Sequence, residues 1–253
     1  MVQAYKCNQS CKINSMTSEL LSMFLLLVLS WCIPIACGDK SANHSTDSSE
    51  LSGIKIGNQV WATTSLDVVT FRNGDSIPEI KLNEEWEKAG KEGRPAWCYY
   101  ENDSEKGKTY GRMYNWYAVN DPRGLCPEGW HVPTNEEWIT LETHLGIPNA
   151  GVKLKCDKGW NANGNGDNSS KLCILPGGYR DRNGRFTGVG EFIYLSSSTE
   201  DKLVESEGNK TFIWGRGIQF ENKGAMRCGL DKEFGLYVRC IKDELRSEDE
   251  RNN

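Results

Sequence analysis

The residues best suited to acid–base chemistry lie in one short run, where His131 is followed by Glu136 and Glu137. A histidine beside a carboxylate can act as a general base. The same run also has a structural explanation, because Thr134 and Glu137 have the spacing of a capping box, which starts a helix. No catalytic triad can be assembled around His131, and the glycine-rich motifs that bind nucleotides are absent. We therefore predict a packed, hydrogen-bonded histidine rather than a catalytic base.

A second candidate for chemistry is an oxygen-rich loop whose side chains, two residues apart, have the spacing of calcium ligands. The glutamate that completes an EF-hand is missing, since the twelfth position of the loop is Leu172. Asn and Asp side chains also stabilise turns by bonding nearby backbone, which explains the loop without a metal. We predict no metal and no cofactor, and the weak calcium candidates are Asn161, Asn163, Asn165 and Asp167.

Cysteine chemistry is the third possibility, because the chain contains 10 cysteines. Three of them precede the predicted mature chain and Cys37 would begin it. An even number in an exported domain is typical of disulfides, whereas the lack of any Cys-x-x-Cys pair argues against zinc. The residue pattern alone does not choose among the possible pairings. The six remaining cysteines are Cys98, Cys126, Cys156, Cys173, Cys228 and Cys240.

The N-terminal segment indicates the compartment. Residues 20–36 are mostly apolar, follow two lysines and end at a small residue just before Cys37. These are the parts of a bacterial lipoprotein signal peptide, in which that cysteine receives the lipid. We predict a signal peptide over residues 1–36 and a flexible tether over residues 37–52. An uncleaved membrane anchor is the alternative, and Met16 is a second possible start.

Composition allows one core of ordinary size and disfavours one class of partner. The chain has 253 residues, 38% of them hydrophobic, and a formal net charge of −5. No block of five or more lysines and arginines occurs, so we predict no nucleic-acid binding. Residues 53–245 are expected to form one domain. Residues 246–253 are charged and lack apolar positions, so we expect a disordered tail.

The elements that must position these residues are short. Apolar alternation over residues 54–61, around a Gly-Asn turn, predicts a β-hairpin. Apolar spacing predicts helices over residues 82–91 and 110–119. A third helix is expected to begin after the Thr134 cap and to end at Gly146.

The second half of the domain has a different pattern. Helical signals disappear after Gly146, and short apolar runs are separated by glycines, which favours hairpins and bulges. The order of elements predicts an α+β fold, with two or three helices in the first half and an irregular antiparallel sheet in the second. The predicted strands cover residues 172–175, 191–195, 211–220, 225–228 and 235–241.

Several separated motifs occur in order along the domain. They are Ile-Gly-Asn-Gln-Val-Trp at 56–61, Tyr-Gly-Arg-Met-Tyr-Asn-Trp-Tyr-Ala-Val-Asn at 110–120, Leu-Cys-Pro-Glu-Gly-Trp-His-Val-Pro-Thr at 125–134, Leu-Pro-Gly-Gly-Tyr-Arg at 175–180 and Val-Arg-Cys-Ile-Lys-Asp at 238–243. Together these motifs resemble those of the Fibrobacter succinogenes major paralogous domain family. The resemblance implies secreted or lipid-anchored proteins of Bacteroidota-like bacteria, with no established enzymatic activity. It also implies a fold similar to C-type lectins and formylglycine-generating enzymes.

The resemblance also implies one disulfide pairing, and two further pairings are predicted beside it. In that fold a cysteine of the helical half is linked to the last strand, which by analogy joins Cys126 to Cys240. The second predicted pair flanks the Asn/Gly-rich loop, and the third joins the two cysteines that remain. The predicted bridges are Cys126–Cys240, Cys156–Cys173 and Cys98–Cys228.

Aromatic residues could bind a glycan or pack in the core. We assign Trp61, Trp116, Trp130 and Trp138 to packing, because they lie within the ordered motifs. Calcium-dependent sugar binding is not supported, because the Glu-Pro-Asn and Trp-Asn-Asp signatures of sugar-binding lectins are absent. A surface site is expected in the C-terminal half, where the chain departs from the family pattern. Its candidates are Glu200, Asp201, Trp214, Arg216 and Gln219.

These inferences predict a non-enzymatic cell-envelope lipoprotein that recognises a glycan or a surface protein. Its lipid would anchor it in the outer membrane, facing the periplasm or the cell surface. One alternative is a structural component of a surface assembly. The other is an enzyme of the formylglycine-generating type, which we do not favour because the candidate cysteines are better used as bridges.

Overall fold

Two β-sheets, with short helices packed on them, make up the fold in a computed structural model that describes residues 51–201 and 212–244. The helices in these ranges are α1 (Asn83–Lys91), α2 (Ser104–Tyr110), α3 (Trp116–Val119), α4 (Asn135–Leu145) and α5 (Ala150–Leu154). The strands are β1 (Gly53–Ile56), β2 (Gln59–Ala62), β3 (Trp97–Cys98), β4 (Met113–Tyr114), β5 (Trp130–His131), β6 (Gly177–Arg180), β7 (Phe186–Val189), β8 (Phe192–Asp201), β9 (Phe212–Gln219), β10 (Met226–Asp231), β11 (Leu236–Tyr237) and β12 (Ile241–Lys242).

Several sequence predictions fall outside these ranges. They are the signal peptide (1–36), the lipid-modified Cys37, residues 37–50 of the tether and the tail (246–253). None of the helices in residues 51–201 and 212–244 combines the length and apolar character that a membrane span requires.

The smaller sheet joins the two ends of the described chain. Strands β1 and β2 form the predicted hairpin, and its turn contains Gly57 at a φ of 59°, which glycine adopts without strain. Strand β12 inserts between β2 and β5, so Ile241 pairs with both Trp61 and His131. The last strand therefore holds the N-terminal hairpin against the segment that leads into α4.

The larger sheet is mixed. Its main path runs β10-β9-β8-β11-β4-β3, and off this path β6 pairs with β8 while β7 pairs with β6. Most pairs are antiparallel as expected, but β11 and β6 each pair with β8 in parallel. The α+β class predicted from the sequence is confirmed.

Helix α4 begins and ends where the sequence predicts. The Thr134 hydroxyl accepts a bond from the Glu137 backbone N–H, and the Glu137 carboxylate accepts one from the Thr134 N–H, so the capping box is complete. Trp138 and Leu141 are fully buried on its inner face, and Gly146 ends it at a φ of 89°. Local sequence signals were sufficient for this element.

The predicted helix over residues 110–119 is wrong in its first half. Helix α2 stops before Gly111, whose φ is 83°. Strand β4 follows, and it is held between β3 and β11 by pairing on both sides. Only α3 is helical, and the Asn115 side chain caps it by accepting a bond from the Ala118 N–H. Tertiary strand pairing overrides the apolar spacing here.

Other boundaries also differ from the predictions. Helix α2 was not predicted, and α5 forms after Gly146, where no helix was expected. Residues 172–175 do not form a strand apart from one isolated bridge between Lys155 and Ile174. The run over residues 235–241 divides into β11 and β12, because the carbonyls of Val238 and Cys240 accept bonds from Leu66 and Ala62 instead.

Two of the three predicted disulfides are present, namely Cys126–Cys240 and Cys156–Cys173. The third is wrong. Cys98 lies on β3 and Cys228 on β10, the two opposite ends of the strand path in the larger sheet. The structure contains no bond between these two buried thiols. Burial raises the pKa of the Cys98 thiol to about 12.

Tryptophans fill the core as predicted. Trp61 and Trp138 are completely buried, and their ring centroids are 4.6 Å apart between the first hairpin and α4. Trp116 and Trp130 are also buried, in the group of apolar residues that surrounds Cys126 and Cys240. These aromatic side chains therefore support the fold and do not contribute to a surface site.

Candidate functional site

A cavity of about 400 Å³ opens between the segment that follows β2 and the C-terminal end of α2. We call it the Arg239 cavity after the one arginine in its wall. Its lining is rich in hydroxyl groups and small residues, and it consists of Thr63, Thr64, Ser65, Asp67, Gly107, Lys108, Thr109, Tyr110, Gly111, Cys173, Leu175 and Arg239.

Backbone contacts fix two walls of this cavity. The Arg112 N–H donates to the Leu66 carbonyl, so the end of α2 is held against residues 63–66. Gly111 makes this approach possible, because a Cβ there would lie 2.9 Å from Ser65 Cβ. Its positive φ is a second reason for glycine at this position.

The third wall comes from the loop that follows α5. Its Cys173 is bonded to Cys156, and the Ile174 carbonyl accepts bonds from the Cys156 N–H at 3.0 Å and the Trp160 indole N–H at 3.1 Å. Cys173 and Leu175 therefore meet the cavity in a fixed position.

Arg239 enters the wall from between β11 and β12. Its side chain is 3% exposed, and Nη1 donates to the Ala62 carbonyl at 3.2 Å. Burial lowers the pKa of Arg239 to about 10. Within the described residues, no ion pair reaches this guanidinium, and Nε is buried without a hydrogen-bond partner.

The rim carries an ion pair. Asp67 accepts from Arg112, whose guanidinium lies 4.4 Å from the Trp97 ring centroid and 4.8 Å from that of Tyr99. The carboxylate of Asp67 is therefore already balanced by a cation. Lys108 also lines the cavity, and its ammonium contacts the exposed Glu105.

The surface site predicted from the sequence is only partly at the surface. Trp214 is half-buried on β9, and the Arg227 guanidinium lies 4.1 Å from its ring. Glu200 is bonded to Lys232 at 2.6 Å. Gln219 is half-buried and accepts a bond from an asparagine three residues away.

Two of the surface candidates are corrected, because Arg216 and Asp201 are buried. Arg216 points under α4, where it pairs with Glu142 and donates to the side chain of Asn135 at 3.1 Å. A charge next to a tryptophan looks like a binding pair in sequence, but α4 covers this position. The packing of α4 over β9 therefore makes Arg216 a buried structural residue.

The calcium candidates lie in a loop that is stabilised by its own turn bonds. The Asn165 side chain accepts from the Trp160 N–H at 3.0 Å, and Asp167 accepts from the Ser169 N–H at 2.8 Å. Asn161 contributes its backbone N–H to the Gly190 carbonyl. Asn163 has a positive φ of 61°, typical of a turn. These are the turn bonds that explain the loop without a metal.

His131 is hydrogen-bonded on both ring nitrogens. Nδ1 lies 2.6 Å from an Asp243 oxygen and Nε2 lies 2.8 Å from a Glu137 oxygen. The bond to Glu137, followed by that to Asp243, raises the pKa of His131 against the effect of burial. The ring therefore joins the residue that follows β12 to the first turn of α4, as a structural histidine would.

Sequence reasoning missed the cavity because its walls come from four distant segments. One signal was available: Arg239 is a charged residue between Val238 and Cys240, both of which are buried. A charge inside an apolar strand needs a partner, and the partner is not evident in the sequence.

Comparison with known proteins bears on the whole domain. Searches of curated proteins and of solved structures returned no match. The likeness to C-type lectins therefore stays a prediction. A family model, by contrast, matches residues 54–242, which include every strand and helix described above except Gly53, the first residue of β1. The chain therefore belongs to the Fibrobacter succinogenes major domain family.

Proposed function

We propose that this protein is an exported, lipid-anchored binding module without enzymatic activity, and that its ligand occupies the Arg239 cavity. The observation that carries the proposal is the cavity itself, about 400 Å³ in volume and bordered by polar groups. Pockets of a few hundred Å³ with a few placed polar groups are typical of small-molecule recognition. A sugar unit of a glycan is the ligand class we favour.

The chemistry of the wall supports binding over catalysis. Among the described lining residues are four hydroxyl-bearing side chains of serine and threonine, but no histidine that could activate them. His131 is held elsewhere by Glu137 and Asp243. Hydroxyl groups of this kind suit hydrogen bonds to a hydroxylated ligand.

Export is supported by two separate features. The Cys126–Cys240 and Cys156–Cys173 bridges are compatible with an oxidising compartment. The apolar segment before Cys37 supports a lipid anchor. The direct measurement is incorporation of labelled fatty acid into the full chain and its Cys37→Ser variant. The proposal expects label only in the former, and equal labelling would contradict the anchor.

A second surface is a candidate for a larger partner. The Trp214 ring and the Arg227 guanidinium form a cation–π pair on strands β9 and β10. Rings of this kind are enriched in protein interfaces. We rank this surface second, because its two side chains already contact each other.

A glycan array on the full chain separates the two surfaces. Thr109→Trp fills the Arg239 cavity from an exposed lining position, and Trp214→Ala removes the second candidate ring. We expect Thr109→Trp to abolish binding and Trp214→Ala to retain it. The reverse result would place recognition on β9 and β10. Absence of binding to any glycan would count against the proposed ligand class.

A further inference from the structure

Among the residues that the structure describes, four cationic side chains are buried, and three of them have a counter-charge or several hydrogen-bond acceptors. Arg180 donates to the carbonyls of Gly184, Ile80 and Lys81 and stacks on the Trp86 ring at 4.5 Å. Backbone oxygens thus replace the water that this guanidinium loses on folding.

Arg216 and Lys155 are satisfied in other ways. Arg216 has a carboxylate partner in Glu142 and further bonds to Asn135. Lys155 donates to three backbone carbonyls at and just after the end of β9, those of Gln219, Phe220 and Asn222. Each cation therefore has either a counter-charge or several oxygen acceptors.

Arg239 is the exception. It is as buried as the others, yet among the described residues it has a single acceptor, the Ala62 carbonyl. Its Nε has no partner. Asp67, an acid in the cavity wall, is engaged by Arg112. A buried and uncompensated charge is costly, and native structures rarely retain one without a reason.

We propose that the Arg239 cavity binds an oxyanion, a carboxylate or a sulfate, carried on a hydroxylated ligand such as an acidic sugar. The inference rests on the proposed function and specifies its ligand. Guanidinium charge is delocalised, so an oxyanion at the cavity wall neutralises it without reaching the buried Nε.

The rest of the cavity fits the hydroxylated part of that ligand. Within the described residues, the hydroxyls of Thr64, Ser65 and Thr109 make no hydrogen bond to the protein. They are available to sugar hydroxyls, and the half-buried Tyr110 offers an aromatic surface beside them. The volume is sufficient for one sugar ring with its acidic substituent.

Thermal unfolding of the full chain tests the proposal with defined probes. Sodium glucuronate is compared with glucose, which lacks the carboxylate, and sodium sulfate is compared with sodium chloride at equal ionic strength. We expect glucuronate, sulfate or both to raise Tm in a saturable way, and neither glucose nor chloride to match them. A response that does not saturate, or none, would overturn the inference.

Variants identify the group responsible. We expect Arg239→Met to weaken the response at least tenfold while leaving the ligand-free Tm unchanged or higher, because it removes an unpaired buried charge. Arg182→Met removes a positive charge from an exposed position outside the cavity and should keep the full response. A large drop in the ligand-free Tm of Arg239→Met would indicate a structural arginine and overturn the proposal.

This outcome is separable from that of the proposed function. If Thr109→Trp blocks a glycan that Arg239→Met still binds with unchanged affinity, the cavity is the site but the oxyanion inference fails. If Thr109→Trp blocks nothing, the proposed function itself fails.

Discussion

Glu142 and Arg216 show how strongly a single residue depends on its partner in this protein. Glu142 belongs to α4 and Arg216 to β9, and both side chains are almost inaccessible to water. Burial raises the pKa of Glu142 and lowers that of Arg216, which means that each ion relies on the other. Removing one partner leaves an uncompensated buried charge.

We predict that Glu142→Leu lowers the free energy of unfolding by about 3 to 5 kcal/mol. The double variant Glu142→Leu/Arg216→Met should recover a large part of this loss, because it removes both charges together. Urea unfolding of the wild type, Glu142→Leu, Arg216→Met and the double variant gives the coupling energy between the two side chains. Additive losses would show that the two ions do not depend on each other.

His131 makes stability depend on pH in a predictable direction. Its folded pKa is raised by Glu137 and Asp243 above the ordinary histidine value. A raised folded pKa means that the contribution to stability is complete below about pH 6.5 and is lost as the pH rises through the folded pKa. Burial opposes ionisation of Glu137, but the bonds from His131 and Thr134 outweigh it and lower its pKa.

The measurement is the unfolding free energy of the wild type and of His131→Asn between pH 5.5 and pH 9, chosen around the ordinary histidine pKa of about 6.5. We expect the wild type to lose stability relative to the variant as the pH rises. A difference between them that is constant over the range would contradict the ionised contact.

At the scale of elements, α4 owes its start to a local motif. The Thr134 side chain and the Glu137 carboxylate satisfy each other's backbone donors. We predict that Thr134→Ala lowers the unfolding free energy by about 1 kcal/mol. Thr140→Ala is the matched control, since Thr140 is exposed on the same helix and should change stability by less than about 0.5 kcal/mol. Equal effects in urea unfolding would argue against the cap.

Elements with local signals were the ones that the sequence predicted well. The first hairpin has its Gly57 turn, and α4 has its cap and its buried face. The prediction for the region around β4 was wrong, because this strand forms only by pairing with β3 and β11. The prediction that Arg216 lies at the surface was wrong for the same reason, since α4 buries its side chain. Three-dimensional neighbours, and not local spacing, decide such positions.

The Arg239 cavity depends most strongly on three-dimensional neighbours. Residues 63–67, the end of α2, Cys173 and Arg239 are brought together only by the fold. Several of these residues lie in family motifs, but nothing in the motifs indicates that they meet in space. A charged Arg239 between two buried residues was a local anomaly, and its meaning required the surrounding walls.

At the scale of the whole molecule, the C-terminal strand closes the structure. Strand β12 lies between β2 and β5, and Cys240 just before it is bonded to Cys126. The bridge joins positions 114 residues apart, whereas Cys156–Cys173 joins positions 17 residues apart. A crosslink over a longer loop removes more conformational entropy from the unfolded chain.

We therefore predict that the two bridges differ in their contribution to stability. Chain-entropy arguments give about 4 to 5 kcal/mol for the long loop and about 3 kcal/mol for the short one. The double variants Cys126→Ser/Cys240→Ser and Cys156→Ser/Cys173→Ser can be compared by urea unfolding under non-reducing conditions. The first should lose more free energy of unfolding, and its β12 amides should exchange hydrogen faster than those of the second. If the short bridge proves the more stabilising, its anchoring of the cavity wall outweighs chain entropy, and the long bridge is not the main closure of the molecule.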